Sequence, residues 1–367
     1  MNDGPSETRP RGAVATASAS DTARSRANSE SIDSADRAPA TKQSRWRRGL
    51  HTSLRVRELA LLPPLVLCVI VGSFVSSRFL TTDNLTTVLQ QADTLAVLVI
   101  GESLILLIGK LDLSLQSTFG LAPLIGSWAV VGAASKGHYL SPWLGILIML
   151  LVGAAVGSFN ALLIVRYKMN TFIVTLAMLI ILAGFQLVVT SGQTIYILPP
   201  QIAYLGSASW LGIPVSVYIA VFIFLIAAWF LRSHTLGRAI YAIGGNEKAA
   251  RAAGINTQRI MFGVFVMGSV LAAIAGLLEE GQLASVSSNQ GDNLIFTAFA
   301  AAVIGGISLD GGRGTLAGAM SGVLLLTVVV NVLTFAAVPA FWIQSVYGGV
   351  ILLSLAIARV TTGEAQT

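Results

Sequence analysis

Long apolar runs dominate the sequence and set the first limit on its fold. Crossing the roughly 30 Å hydrocarbon core of a bilayer as an α-helix takes about 20 mostly apolar residues. Ten runs reach or approach that length: Leu59–Ser76, Val88–Ile108, Ser117–Ala134, Trp143–Val165, Phe172–Thr190, Ile213–Leu231, Ile260–Leu278, Leu294–Ile307, Leu316–Val338 and Phe341–Ala358. The sequence therefore predicts an all-α fold, a polytopic membrane helix bundle with about ten transmembrane helices.

The composition agrees with a surface that faces lipid. Of the 367 residues, 54% are hydrophobic and only 11% are charged, whereas soluble domains carry roughly a quarter charged residues. The formal net charge is +6, but the basic residues lie in the N-terminal stretch and in short gaps between apolar runs. Cytoplasmic loops have this pattern. We therefore predict the lipid bilayer as a partner and no nucleic acid.

Composition also divides the chain. Residues 1–58 are rich in Ser, Ala, Thr, Arg and Asp without apolar periodicity, which predicts a disordered basic cytoplasmic tail. Residues 59–360 form the transmembrane domain, with a hydrophilic loop at 232–259, and residues 361–367 form a short C-terminal tail.

The distribution of basic residues predicts the orientation of the bundle. With ten spans and both termini in the cytoplasm, the outside loops hold only two basic residues, Arg78 and Lys136. The inside loops and the C-terminus hold ten: Lys110, Arg166, Lys168, Arg232, Arg238, Lys248, Arg251, Arg259, Arg313 and Arg359. This bias is what the positive-inside rule requires.

The loop 232–259 contains a predicted short helix. Asn246 is a good N-cap, Glu247 suits the positive end of the helix dipole, and Gly254 can adopt the left-handed conformation at the C-terminus. Its alanines make a thin rod that could lie in a groove on another protein. An ordinary amphipathic connector at the membrane surface explains the same residues equally well.

Two shorter cytoplasmic motifs are candidates for transmitting movement. Asp112, with Ser114 close by, follows a helix end, where the carboxylate can cap the next helix or pair with Lys110. The alternative is that this loop packs against the helix of the 232–259 loop. Gly311 and Gly312 permit a tight reversal at the membrane face, and Arg313 anchors it on the cytoplasmic side.

Polar residues inside the apolar runs are candidates for a solute pathway. Glu102 is the clearest, because a carboxylate in mid-span costs a few kcal/mol unless it faces the bundle interior, water or a partner. A buried, hydrogen-bonded acid is the alternative. Asn160, Gln186, Asn331 and Gln344 are weaker candidates, since such residues more often join helices to one another.

The sequence offers no catalytic machinery. It has no Gly-x-x-x-x-Gly-Lys-Ser/Thr loop for nucleotide phosphates, its three histidines have no metal-ligand spacing, and no nucleophile–base pair is recognisable. We predict no catalytic residue, no metal and no cofactor in this chain.

Four stretches resemble one family of membrane proteins. The residues Ala249, Ala250 and Gly254 resemble the "EAA" loop of ABC importer permeases. From about Leu59 to Val360 this chain resembles the ribose-type branch of sugar permeases. The resemblance is clearest at Leu111–Ser114, Asn170–Leu176 and Ile304–Thr315. In three places the chain departs from the family pattern: Lys248 stands where an acid is usual, Lys110 replaces a glycine, and Glu102 is unusual inside the second span.

The resemblance implies a role for the chain and a set of partners. It would be the permease subunit of a bacterial ABC importer, a multi-pass protein of the cytoplasmic (inner) membrane that translocates a sugar or related small polar solute. A separate ATPase subunit would bind ATP, an extracytoplasmic binding protein would deliver the solute, and a second permease copy would complete a homodimer. The residues implied in coupling to the ATPase are Asn246, Glu247, Ala249, Ala250, Arg251, Gly254 and Ile255.

Three other functions fit the sequence less well. A permease for branched-chain amino acids or nucleosides belongs to the same superfamily. An ion-coupled secondary transporter needs several intramembrane carboxylates, of which Glu102 is the clear one, and has no use for an EAA-like loop. A membrane scaffold leaves the polar residues inside the spans unexplained.

Overall fold

The computed structural model describes residues 61–131, 140–196 and 198–339, followed by 341, 342, 345, 346, 348, 349 and 352. Twelve α-helices run through the described part: α1 Leu62–Val75, α2 Thr82–Leu107, α3 Leu115–Val130, α4 Pro142–Ala161, α5 Thr171–Thr190, α6 Pro200–Ser207, α7 Val215–Ser233, α8 Thr235–Gly245, α9 Glu247–Ala252, α10 Thr257–Leu283, α11 Leu294–Ile304 and α12 Leu316–Phe335. A π-helical turn, Leu162–Arg166, extends α4. The predicted helical fold is confirmed.

Four short strands complete the described elements. They are β1 Ile195–Tyr196, β2 Ser209–Trp210, β3 Ile213–Pro214 and β4 Ser285–Val286. Strand β1 pairs with β4 and β2 pairs with β3, both antiparallel, with Ile195 opposite Val286 and Trp210 opposite Ile213. These pairs connect loops at the ends of helices and leave the bundle helical.

Six of these helices are long and apolar enough to cross a membrane. They are α2, α4 with its π-helical extension, α5, α7, α10 and α12, while α1 and α11 are shorter apolar helices. With α3, nine of the ten predicted apolar runs correspond to helices in the described part of the chain. The tenth run, Phe341–Ala358, lies mostly outside the described residues.

Burial separates central helices from peripheral ones. The most apolar window of α2 is 83% buried, whereas those of α5 and α7 are 28% and 22% buried. Helix α10 packs against α2, α3, α4 and α6, so α2 and α10 form the middle of the bundle. The outer faces of α5 and α7 carry exposed side chains such as Ile180, Phe222 and Trp229, as expected where lipid is the solvent.

Small residues allow the central helices to approach closely. A Cβ added at Gly153 of α4 would lie 2.8 Å from the carbonyl oxygen of Ser269 in α10, and one at Gly101 of α2 would lie 2.9 Å from that of Gly268. Both distances are shorter than real Cβ contacts, so only glycine fits these helix crossings. This is the packing that spaced small residues make possible in membrane helices.

The segment 232–259 contains two helices rather than one. Helix α8 is amphipathic, with Ile240 and Ile243 buried, and ends at Gly245, directly before α9. The sequence interpretation also missed α6, a two-turn helix that packs on α10, where Gly206 and Gly281 bring the two backbones together.

Candidate functional site

A cavity of about 730 Å³ lies where α2, α10, α11 and α12 meet. Its polar lining consists of amides, hydroxyls and two carboxylates: Gln91, Thr94, Glu279, Gln282, Asp292, Asn293, Thr297 and Thr327. No lysine, arginine or histidine is among the described residues that line it. The cavity therefore offers many hydrogen-bonding groups and negative charge, which suits a neutral polyhydroxylated molecule.

Gln282 is held at the wall of this cavity by hydrogen bonds to α2. The nitrogen of its side-chain amide has two hydrogens to donate and lies within hydrogen-bonding distance of the carbonyl oxygen of Gln90 (3.2 Å), a carboxylate oxygen of Asp93 (3.0 Å) and the hydroxyl of Thr94 (3.2 Å). Asp93 is buried, and its second carboxylate oxygen has no partner among the described residues. Through this network α2 fixes the position of Gln282 on α10.

Glu279 and Glu280 are consecutive in α10 but face different surroundings. Glu279 lines the cavity, and one of its oxygens has no hydrogen-bond partner among the described residues. Glu280 is fully buried and accepts a hydrogen bond from the hydroxyl of Ser127 in α3. Neighbouring residues of a helix point about 100° apart, so only the first of the two carboxylates is available to a solute.

Asp112, Ser114 and Asn160 come together where α3 begins. One carboxylate oxygen of Asp112 accepts from the backbone N–H of Ser114 over 2.9 Å and from its hydroxyl over 2.6 Å. The amide of Asn160 in α4 donates to the Ser114 hydroxyl over 2.7 Å. Burial raises the pKa of Asp112, and the bonds from Ser114 and Asn160 oppose that rise. Asp112 thus stabilises the start of α3, and it forms no ion pair with Lys110 in the described structure.

The other predicted pathway residues lie between helices, and those that the structure describes do not line this cavity. Gln186 of α5 donates to the carbonyl oxygen of Ser117 in α3 over 3.4 Å. Asn331 of α12 and Asn84 of α2 exchange two amide hydrogen bonds of 2.9 and 3.0 Å. Glu102 is fully buried, and both of its carboxylate oxygens lack a hydrogen-bond partner among the described residues. Gln344 lies outside the described residues.

Both ends of α9 have the predicted caps. The side chain of Asn246 accepts from the backbone N–H of Ala249 over 3.0 Å. Gly254 has φ +82°, and its N–H donates to the carbonyl of Arg251 while that of Ile255 donates to Ala250, over 3.0 and 3.1 Å. This pair of bonds is the Schellman arrangement. The local structure predicted for this helix is confirmed.

The alanines of α9 divide between an inner and an outer face. Ala250 is 5% exposed and belongs to the hydrophobic core, whereas Ala249, Ala252 and Ala253 are exposed. Glu247 and Arg251 form an ion pair of 2.6 Å along one side of the helix. A partner docking on α9 would therefore touch Ala249 and its exposed neighbours, because Ala250 already packs against the bundle.

Glycines bring three loops into backbone contact. The members of this glycine junction are Gly109, Gly244, Gly245, Gly311 and Gly312. The N–H of Gly312 donates to the carbonyl of Leu107, the last residue of α2, over 2.9 Å. Added Cβ atoms at Gly311 and Gly312 would lie 2.6 and 2.5 Å from the backbone nitrogens of Gly109 and Gly245. The junction joins the end of α2, the connection between α8 and α9, and the loop between α11 and α12.

Arg313 is exposed beside the junction, and its carbonyl oxygen accepts from the backbone N–H of Ser308 over 2.9 Å, which closes the predicted reversal. On the opposite side of the turn, the Tyr241 hydroxyl of α8 donates to the carbonyl of Gly314 over 3.0 Å. The turn between α11 and α12 is thus fastened to both α2 and α8.

The sequence interpretation missed the residues that line the cavity. It also missed Asp93, which bonds to Gln282 at the cavity wall without lining the cavity. Asp93 lies in the second apolar run, as Glu102 does, so the same criterion of a carboxylate inside a span identifies it. The spanning helices therefore contain three carboxylates that are fully or almost fully buried: Asp93, Glu102 and Glu280. Glu279 and Gln282 carried a weaker signal, because they stand at the end of an apolar run, where polar residues are common.

Comparison with known proteins identifies a family and several relatives that are similar to this chain. The family described as "Branched-chain amino acid transport system / permease component" matches residues 84–355. The ribose import permease protein of Escherichia coli K12 is 34% identical over 316 residues, which cover 85% of this chain and 96% of that protein. The autoinducer 2 import system permease protein of Escherichia coli K12 strain DH10B is 31% identical over 299 residues, 82% of this chain and 86% of that protein.

No solved structure is significantly similar to the chain. The family match covers most of the described residues, including the cavity, α9 and the glycine junction. The chain is not an enzyme but belongs to this family of transport-system permease components.

Proposed function

We propose that the chain is the transmembrane permease subunit of an ATP-driven ABC importer that translocates a sugar or a related small polar solute. The lining of the 730 Å³ cavity is the observation that carries the proposal. Sugar hydroxyls donate hydrogen bonds to carboxylates and amides. The relatives that import ribose and autoinducer 2 support the same class of solute.

The same lining disfavours an amino acid as the solute. Glu279 and Asp292 could pair with the ammonium group of an amino acid, but its α-carboxylate would have no cationic partner in the described part of the cavity. A charge that is removed from water without a partner is costly. We therefore favour the sugar alternative over a branched-chain amino acid, although the family description names the latter.

The proposed topology has ten spans in the bacterial inner membrane with both termini in the cytoplasm. Residues 1–58 form the cytoplasmic tail, 59–360 the permease domain and 361–367 the C-terminal tail. The bias of basic residues supports this orientation. In it, the cavity opens towards the extracytoplasmic side, where a binding protein delivers solute, and α9 lies in the cytoplasm.

Coupling in this proposal starts at α9, which docks on the ATPase subunit. Asn246, Gly254 and Ile255 hold the helix in shape, while Ala249 and Arg251 are exposed to the partner and Glu247 is half-exposed beside them. Displacement of α9 reaches the glycine junction, and from there α2 and the turn between α11 and α12. Helix α2 and the two helices joined by that turn, α11 and α12, line the cavity, so nucleotide-driven movement would open or close it. A second permease copy would form the other half of the pore, and ATP would bind only to the ATPase subunit.

The solute assignment is tested by exchanging one carboxylate for an amide. Glu279→Gln keeps the shape of the side chain and removes its charge. We expect about tenfold weaker sugar uptake at saturating binding protein, since a charged hydrogen bond contributes roughly 1–2 kcal/mol more than a neutral one. Uptake would be measured in cells that express the permease with its ATPase and binding protein.

The neighbouring residue supplies the control. Glu280→Gln alters a carboxylate that faces α3, so it should leave sugar uptake at saturating binding protein unchanged. Equal effects of both substitutions, or uptake of leucine that competes with sugar, would contradict the assignment.

A further inference from the structure

A second cavity, of about 650 Å³, lies between α9, the end of α4 and the start of α10. Four basic side chains line it: Lys110 after α2, Lys168 after the π-helical turn, Lys248 and Arg251 in α9. Glu247 is the acidic residue in its lining. Three separate segments of the chain therefore bring positive charge to one place, which we call the basic cavity.

The positive charge of the basic cavity is not neutralised within the described structure. Arg251 is paired with Glu247 over 2.6 Å, and this is the ion pair that the described residues form. Lys110, Lys168 and Lys248 have no carboxylate partner there. Three like charges around one space repel each other, so an anion in that space would be stabilised.

Apolar side chains adjoin the basic cavity on the side of α5. Met169 lines the cavity, and the following residues continue onto the start of α5 with exposed rings and aliphatic groups. Tyr167, Phe172 and Ile173 are 66%, 52% and 64% exposed. The most apolar window of α5 is only 28% buried inside the protein. A lipid-facing surface thus begins directly beside the three unpaired lysines.

We propose that the basic cavity binds the phosphate headgroup of an anionic phospholipid, whose acyl chains lie along the start of α5. Unpaired lysines recognise the phosphate, and the exposed apolar side chains accommodate the chains. Basic residues near the cytoplasmic leaflet attract anionic lipids in this manner. Because α9 forms one wall of the cavity, the bound headgroup would connect the loop 167–169 to the helix that we propose docks on the ATPase. The site needs the proposed cytoplasmic face but no particular solute.

The test is lipid retention by the purified full chain without partner subunits. The protein would be reconstituted in nanodiscs of equal parts phosphatidylglycerol and phosphatidylcholine, and the lipids that remain bound would be counted by native mass spectrometry. Each of Lys110→Gln, Lys168→Gln and Lys248→Gln should lower the preference for phosphatidylglycerol about fivefold, and the triple variant about a hundredfold at most. Arg232→Gln removes a basic residue at the cytoplasmic end of α7 outside the cavity and should retain the parent preference.

Three results would overturn the proposal. The first is equal retention of the two lipids by the parent protein, and the second is an unchanged preference in the triple variant. The third is complete displacement of phosphatidylglycerol by inorganic phosphate or by added ATPase subunit, which would assign the cavity to a soluble anion or to an acidic partner segment. Since no solute is transported in this assay, failure of the sugar proposal would leave its outcome unaffected.

Discussion

We predict that one methyl group added at Gly312 uncouples ATP hydrolysis from solute transport. Its φ of +69° lies in the left-handed region, where a residue other than glycine costs roughly 1–2 kcal/mol. The Cβ of Gly312→Ala would lie 2.5 Å from the backbone nitrogen of Gly245. Reaching the ordinary contact distance of 3.4 Å requires a separation of 3.4 − 2.5 = 0.9 Å. Such overpacking costs about 1–3 kcal/mol.

The two costs together amount to roughly 2–5 kcal/mol. The chain can relieve the overlap with Gly245 by moving the connection between α8 and α9 away from α2. The hydrogen bond from Gly312 to Leu107 would weaken at the same time. We expect ATP hydrolysis that no longer responds to loaded binding protein, and uptake reduced at least tenfold, because 1.4 kcal/mol already corresponds to a factor of ten. Insertion into the membrane should be normal.

Gly245→Ala is the matched control within the same junction. A Cβ at Gly245 has no atom within 4 Å, and its φ is not positive. This variant should hydrolyse ATP and transport solute as the parent does, in assays of the reconstituted importer. Parent-level transport by Gly312→Ala, or an equal defect in Gly245→Ala, would refute the argument that backbone contact at this junction carries the coupling.

Two further predictions concern docking and topology. Ala249→Trp adds bulk to the exposed face of α9 and should abolish co-purification of the ATPase subunit, whereas Ala249→Ser should not; retention by the tryptophan variant would exclude this face as the docking surface. In a cysteine-free background, a membrane-impermeant thiol reagent applied to whole cells should label Gln193→Cys and leave Thr235→Cys unlabelled, and labelling of both would disprove the ten-span orientation.

The sequence was sufficient for features that depend on local rules. The caps of α9 followed from Asn246 and Gly254 because capping is decided within one helical turn. The apolar runs predicted the positions of the membrane helices, because the bilayer sets the length and polarity that such helices need.

The site required the tertiary structure. Glu279 and Glu280 are chemically identical and adjacent in sequence, so only the positions of α3 and α11 decide which of them faces the cavity. Ala250 is the second alanine of the EAA-like pattern, and the sequence cannot indicate that it packs inward while Ala249 is exposed. The basic cavity is a similar case, because Lys110 and Lys248 are 138 positions apart and share a space only after folding.

Helix α2 takes part in both the cavity and the glycine junction, and this constrains its length more tightly than membrane thickness does. Thr94 faces the cavity, and 13 residues later Leu107 accepts the hydrogen bond from Gly312. At about 1.5 Å and 100° per residue, that interval fixes a separation of roughly 20 Å and one relative angle between the two contacts. One inserted residue would rotate Thr94 by about 100° relative to Leu107. The bilayer would tolerate the longer helix, but Thr94 could no longer face the cavity while Leu107 accepts the hydrogen bond from Gly312. This segment can therefore vary in its side chains but not in its length.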